Sequence, residues 1–256
     1  REQGHIMAVV ETKDALVLAS GKGDGLNALA KAAGEVRRRI WNTLGDVAWP
    51  MPTQRLVVMN LPDQDSYYRY VSHYYSDGEF AGSGGIAIMG ECPHIVLPNP
   101  QSRFTDATTA VLAHEAAHIA VSHLKLPTWL NEAIAMNFES LIGGRGTDAT
   151  SQLLETRQLQ HYWTTSNIQA FWSGASFKSA KNKDNEMSYA LARTLFGLLH
   201  SEFRPTPEDF RKFVKTADAS DAGEDAAMCC FARSLTELTE IFLGRGDWEP
   251  RGGASF

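Results

Sequence analysis

One apolar stretch constrains this chain more than any other. It carries His114-Glu115-Ala116-Ala117-His118, entered by Thr109-Ala110-Val111-Leu112-Ala113 and left by Ile119-Ala120-Val121. No Gly or Pro interrupts it, so a helix is expected. Nearly every other position is apolar, and such a helix is buried all round. Polar side chains taken into that setting need partners. Histidines four apart stand one turn apart on one helix face, where their ring nitrogens reach a single cation. Glu115 follows the first histidine directly and is left to act as base on a water held by that cation. A pattern with so few fixed positions recurs by chance in roughly one chain in a hundred. Two buried histidines can also be plain hydrogen-bonded core residues. The next segment therefore carries weight.

Pro127-Thr128-Trp129-Leu130-Asn131-Glu132-Ala133-Ile134-Ala135 reads as the start of a second helix. Thr128 is placed to cap it, and Trp129, Ala133 and Met136 recur at helical spacing. Glu132 sits inside this apolar run, fourteen residues after His118. A carboxylate there is costly to bury unless it is paired or metal-bound. Val121 to Pro127 is long enough to turn the chain back, so the second helix can pack on the first. Two His and one Glu with a fourth position left to water is a catalytic zinc geometry rather than a closed structural one. The expected ligands are His114, His118 and Glu132, for one Zn2+ per chain, with Glu115 as general base.

HExxH followed by a helix opening on Asn-Glu-x-x-Ala resembles the gluzincin pattern of metallopeptidases. The short spacing and the Pro-x-Trp-Leu-Asn-Glu-Ala form are most similar to the bacterial peptidase-MA-like family; thermolysin-type and aminopeptidase-type enzymes place the Glu further on. The resemblance covers about Leu112 to Glu139 and implies the same ligand set and base. A looser similarity reaches Tyr189-Ala190-Leu191-Ala192-Arg193-Thr194-Leu195 and Ser234-Leu235-Thr236-Glu237-Leu238. One position departs. Thermolysin-like enzymes carry an acid four residues after the ligand Glu, which orients a zinc histidine. Met136 stands there in this chain. Zinc-bound histidines usually need such an acceptor, which leaves a backbone carbonyl or Asn137 to serve.

With 256 residues, 43% of them hydrophobic, the chain can bury a sizeable core as one large or two small domains. A net charge of −6 and no basic run argue against a nucleic-acid surface. No apolar run approaches the length of a membrane span. Arg1 to Met7 reads as residues ahead of the native chain, and export with a removed leader is favoured slightly over the cytoplasm. Cys92, Cys229 and Cys230 form no C-x-x-C, so a cysteine zinc site is not expected. They read first as buried apolar thiols, with a bridge from Cys92 to the adjacent pair as the alternative in an exported protein.

The expected architecture is α+β. A sheet-bearing subdomain over residues 8–113 holds a small mixed sheet with helices. A mostly helical subdomain follows over 114–256, and the zincin-like active-site helix and zinc cleft lie at the junction. Strands are expected at Ala15–Leu18, Arg55–Met59, Gly85–Met89 and His94–Leu97. Helices are expected at Leu26–Leu44, Ser66–Tyr75, Thr150–Trp163, Glu186–Phe203, Pro207–Thr216 and Ser234–Leu243. Gly143–Gly146 and Ala180–Asp184 read as loops.

In gluzincins an edge strand beside the active-site helix pairs with an extended peptide. Ile95–Leu97 or Ile86–Ile88 is the expected edge, and Gly82–Gly85 either admits substrate or is a plain turn. Hydrolysis also needs a donor for the oxyanion. Tyr189 leads, since it opens a helix where relatives place such a group, against aromatic packing. His200, Tyr162 or an Arg come next. His73, His94, His123 and His161 are given no role. Three functions follow: a zinc peptidase acting on peptides or proteins, a zinc-binding module without turnover, and a metal-free helical interaction protein.

Overall fold

Five short runs of β-branched and apolar residues pair into one mixed sheet, ordered β1-β2-β3-β5-β4. The computed structural model describes residues 7–20, 24–49, 55–75, 84–98, 105–143 and 149–251. β1 (Met7–Glu11) lies antiparallel to β2 (Ala15–Ser20), from which α1 (Asp24–Leu44) crosses over to β3 (Leu56–Leu61), parallel to β2. α2 (Gln64–Val71) follows, then β4 (Ile86–Ile88) and β5 (His94–Pro98). β5 runs parallel to β3 and antiparallel to β4. Then come α3 (Asp106–Val121) and α4 (Thr128–Gly143). After them the described chain is helical: α5 (Ala149–Tyr162), α6 (Ile168–Trp172), α7 (Asn182–Leu198), α8 (Pro207–Thr216), α9 (Glu224–Phe231) and α10 (Leu235–Leu243). The fold is α+β, with the small mixed sheet early and the helices after it. Among the described residues no helix is long and apolar enough to cross a membrane.

The contacts divide the chain into two units. One is Arg1–Ser122 with Phe138–Arg145, and the other is His123–Asn137 with Gly146–Phe256. The division passes through α4, which is a single unbroken helix. In the first unit α1 lies against β2, and α3 packs on α1 and on β4 and β5. Leu29, Ala33, Val36 and Ile40 fall at helical spacing on α1 and are all buried. Tyr67, Val71, Ile86, Ile88 and Val96 make a cluster beneath α2. In the second unit the fully buried Trp129 donates its Nε1–H to the Ala222 carbonyl at 2.9 Å and meets Trp172 edge-on. Trp172 donates in turn to the Trp248 carbonyl.

Several expectations change. β1 includes Met7, so residues read as lying outside the fold begin a strand. Among the described residues β5, with Ile95–Leu97, is interior, and β4 is the sheet edge. α7 starts at Asn182, so the end of the expected Ala180–Asp184 loop is a helical first turn. α4 starts at Thr128 itself, with the Pro127 carbonyl accepting from the Leu130 and Asn131 N–H groups. Gly82, Ser83 and Gly144–Gly146 lie outside the described residues. Gly85 has a packing reason: a Cβ there would stand 2.6 Å from Leu97 Cδ2 and 2.8 Å from Val111 Cγ1. Cys92 and Cys229 are exposed, Cys230 is half-buried, and all three are free thiols, not buried apolar ones.

Candidate metal centre

α3 is built to be enclosed. Thr105 caps it by accepting from the Thr108 N–H, and Asp106 sits in its first turn, where the helix dipole favours an anion. The small side chains along it permit close approach. At Gly143 of α4, a Cβ would stand 2.6 Å from the Ala110 Cβ, so the two helices nearly touch there. The other end of α3 is tied by the Trp49 N–H donating to the Ala120 carbonyl at 2.6 Å.

His114 and His118 present their rings from one face of this helix, centroids 4.8 Å apart and steeply inclined. With Glu132 of α4 they form a group in which one ligand atom from each lies within 4.8 Å of the others. All three residues are half-buried. Two imidazoles and one carboxylate are a donor set that suits zinc, short of the four protein ligands of a closed structural site.

The first histidine is held from behind. His114 Nδ1 stands 3.1 Å from Glu139 Oε2. An Nδ1–H donating to that carboxylate fixes the tautomer and leaves the Nε2 lone pair for a cation. Glu139 lies seven residues after Glu132, about 20° from the same line along an ideal helix. One face of α4 therefore carries both Glu132 of the candidate group and the carboxylate that stands at His114 Nδ1. Met136, where thermolysin-like enzymes have the acid, is buried and apolar. A signal for Glu139 exists in the sequence, since Glu132 and Glu139 are the two acids of α4 and share a face. Truncation by Glu139→Ala is expected to lower metal affinity by ~10–100-fold, with Glu139→Gln, which still accepts from Nδ1–H, falling in between. A competitive chelator titration measures this, and equal affinity in all three proteins would remove Glu139 from the site.

Glu115, one residue on from His114, points to a different partner. Its Oε2 accepts from the Ala87 N–H at 2.7 Å. Among the described residues β4 pairs only with β5, so Ala87 lies on the sheet edge. The Glu115 carboxylate is thus held at an edge strand while His114 and His118 on α3 converge with Glu132.

Tyr189 does not open its helix, because α7 starts at Asn182 and Tyr189 sits about two turns in; it is half-buried, with its ring edge-on to Phe177 at 5.3 Å. The Tyr162 hydroxyl donates to Asp184 at 2.6 Å; burial first, and this bond second, push the phenol up to about 12. Asp184 is held below the usual carboxylate range by the Tyr162 and Ser179 hydroxyls. His200 packs between Phe196 and Phe210, and burial lowers its pKa. Tyr162 and His200 thus have structural uses. His94 is pinned on both ring nitrogens, by the Cys92 carbonyl and the Tyr70 hydroxyl.

No protein-family model matches the chain, and no curated protein matches it.

Proposed function

We propose that this chain is a zinc metallopeptidase of the gluzincin type. The observation that carries the reading is the convergence of His114, His118 and Glu132, with the adjacent Glu115 carboxylate held apart on the β4 edge. A bound Zn2+ would supply Lewis acidity, polarising the scissile carbonyl and lowering the pKa of a water. Glu115 accepts a proton from the attacking water and returns it to the leaving amine. Glu139 keeps the His114 ring in its ligating tautomer. An extended peptide lies along β4 and donates to the Ala87 carbonyl, since the Ala87 N–H is taken by Glu115. The Ala87 N–H, by holding Glu115, fixes the distance between the base and that strand.

A zinc-binding module without turnover draws its support from the departure at Met136. Glu139, 3.1 Å from His114 Nδ1, offers an acid by another route and weighs against that reading. The test has two parts. Protein purified without added zinc should carry the metal, and it should cleave members of a broad peptide library in a way that a chelator abolishes and zinc restores. Zinc without cleavage would select the non-catalytic module. Absence of both would leave a metal-free helical protein.

Tyr189 is the proposed oxyanion donor. Removing only its hydroxyl, by Tyr189→Phe, is expected to lower kcat by ~10²-fold, typical of one lost donor. KM should change little, because the contact matters in the transition state. An unchanged kcat would assign Tyr189 to packing against Phe177.

A further inference from the structure

The peptidase reading leaves one reactive pair unused. Met228-Cys229-Cys230 places three sulfur side chains in sequence near the end of α9. Cys229 and Met228 are exposed and Cys230 is half-buried. The Cys230 thiol is within hydrogen-bonding reach of the Cys229 thiol and of the Thr216 hydroxyl, with the Lys212 side chain of α8 near enough to act on its charge. α8 and α9 pack closely, and Phe213 against Phe231 fixes their approach at 4.9 Å between ring centroids. Thr216 is itself tied to the Lys212 carbonyl at 2.8 Å. The pair therefore sits on a rigid two-helix support with one sulfur open to solvent.

We propose that Cys229 and Cys230 form a vicinal dithiol site that chelates a soft, thiophilic cation of the Cu(I) class, separate from the His114–His118–Glu132 group. Thiolate and thioether donors select Cu(I) over harder divalent ions. Two adjacent sulfurs do not fill the tetrahedral shell that structural zinc takes, whereas Cu(I) is satisfied by few soft donors. Binding releases both thiol protons, and the two thiolates with one Cu(I) carry a net negative charge. Lys212 offsets that charge. The carbonyl end of α9 opposes a free thiolate, and burial raises the Cys230 pKa. A cation that binds sulfur strongly displaces both thiol protons. Cys92, exposed in the turn between β4 and β5, has no neighbouring thiol in sequence and serves as the internal control.

The geometry is tested with phenylarsine oxide on the reduced, full-length protein, read by intact mass. The arsenical condenses with two thiols, forming two As–S bonds and releasing one water. A single adduct is expected in the wild type and in Cys92→Ser, and none that survives dilution in Cys229→Ser or Cys230→Ser. The metal is tested anaerobically with Cu(I) against a chromophoric Cu(I) chelator. Wild type and Cys92→Ser should hold one Cu(I) more than either pair variant. Both pair variants should keep the zinc content and circular dichroism of the wild type. An adduct retained in Cys229→Ser, or lost in Cys92→Ser, would overturn the site. So would equal Cu(I) retention in wild type and Cys230→Ser.

Discussion

Glu115→Gln should leave the protein folded and zinc-bound while peptide hydrolysis falls by ~10²–10⁴, the cost of a lost general base. The structure says why the fold should survive. Glu115 accepts from the Ala87 N–H, and a glutamine carbonyl oxygen accepts the same bond with the same reach. The substitution keeps the tie between α3 and β4 and deletes only the basic oxygen. Zinc should stay because its three expected donors are untouched. The measurement pairs kcat/KM on a cleaved peptide with zinc content and a thermal melt of the same preparation. Unchanged hydrolysis would rule out Glu115 as base. Hydrolysis lost together with zinc would make it a structural residue. A further variant, Glu115→Ala, removes the acceptor as well, so it should add a stability loss of about 1–3 kcal/mol from the desolvated Ala87 N–H.

The legible parts of this chain are those in which one periodicity decides. Thr109 to Val121 allows only a buried helix, and α3 runs Asp106–Val121. The strands at Ala15, Leu56 and His94 announce themselves by β-branched and apolar runs between turn residues. Sheet order is not written in any local pattern. Ile86–Ile88 and Ile95–Leu97 look alike as sequences, and only long-range pairing makes the first an edge and the second an interior strand. α6 and α9 escape a reading by periodicity because five and eight residues hold too little of it. In the candidate site, the group of His114, His118 and Glu132 follows from helix spacing and from the cost of burying Glu132 alone. Glu139 escapes a reading that borrows its offset from elsewhere. Thermolysin-like enzymes place the acid four residues past the ligand Glu, while α4 offers the same face again at seven. The thiols defeat the reading for a different reason. Hydrophobic averages bury cysteine, but in the last turn of a short helix Cys229 is turned toward solvent and Cys230 is only half-covered.

His118→Ala should cost the protein most of its zinc. Two donors remain, His114 and Glu132, and two protein ligands rarely hold this metal against a chelator. His118 is the better histidine to remove, because His114 also holds Glu139 at 3.1 Å and its loss would disturb two interactions at once. Alanine is the most favourable residue for a helix interior, so α3 should persist, already carrying Ala116, Ala117 and Ala120 beside the change. The readouts are zinc per chain after dialysis against a weak chelator and the melting temperature with and without zinc. A metal bound only by the folded state stabilises it by about 2.7 kcal/mol at a free concentration 100-fold above Kd. For a chain of this size that corresponds to roughly 5–10 °C. The wild type should therefore lose several degrees on chelation, and His118→Ala should already melt near the chelated value and not respond to added zinc. Full zinc occupancy in His118→Ala, or a melt that still rises with zinc as the wild type does, would take His118 out of the ligand set.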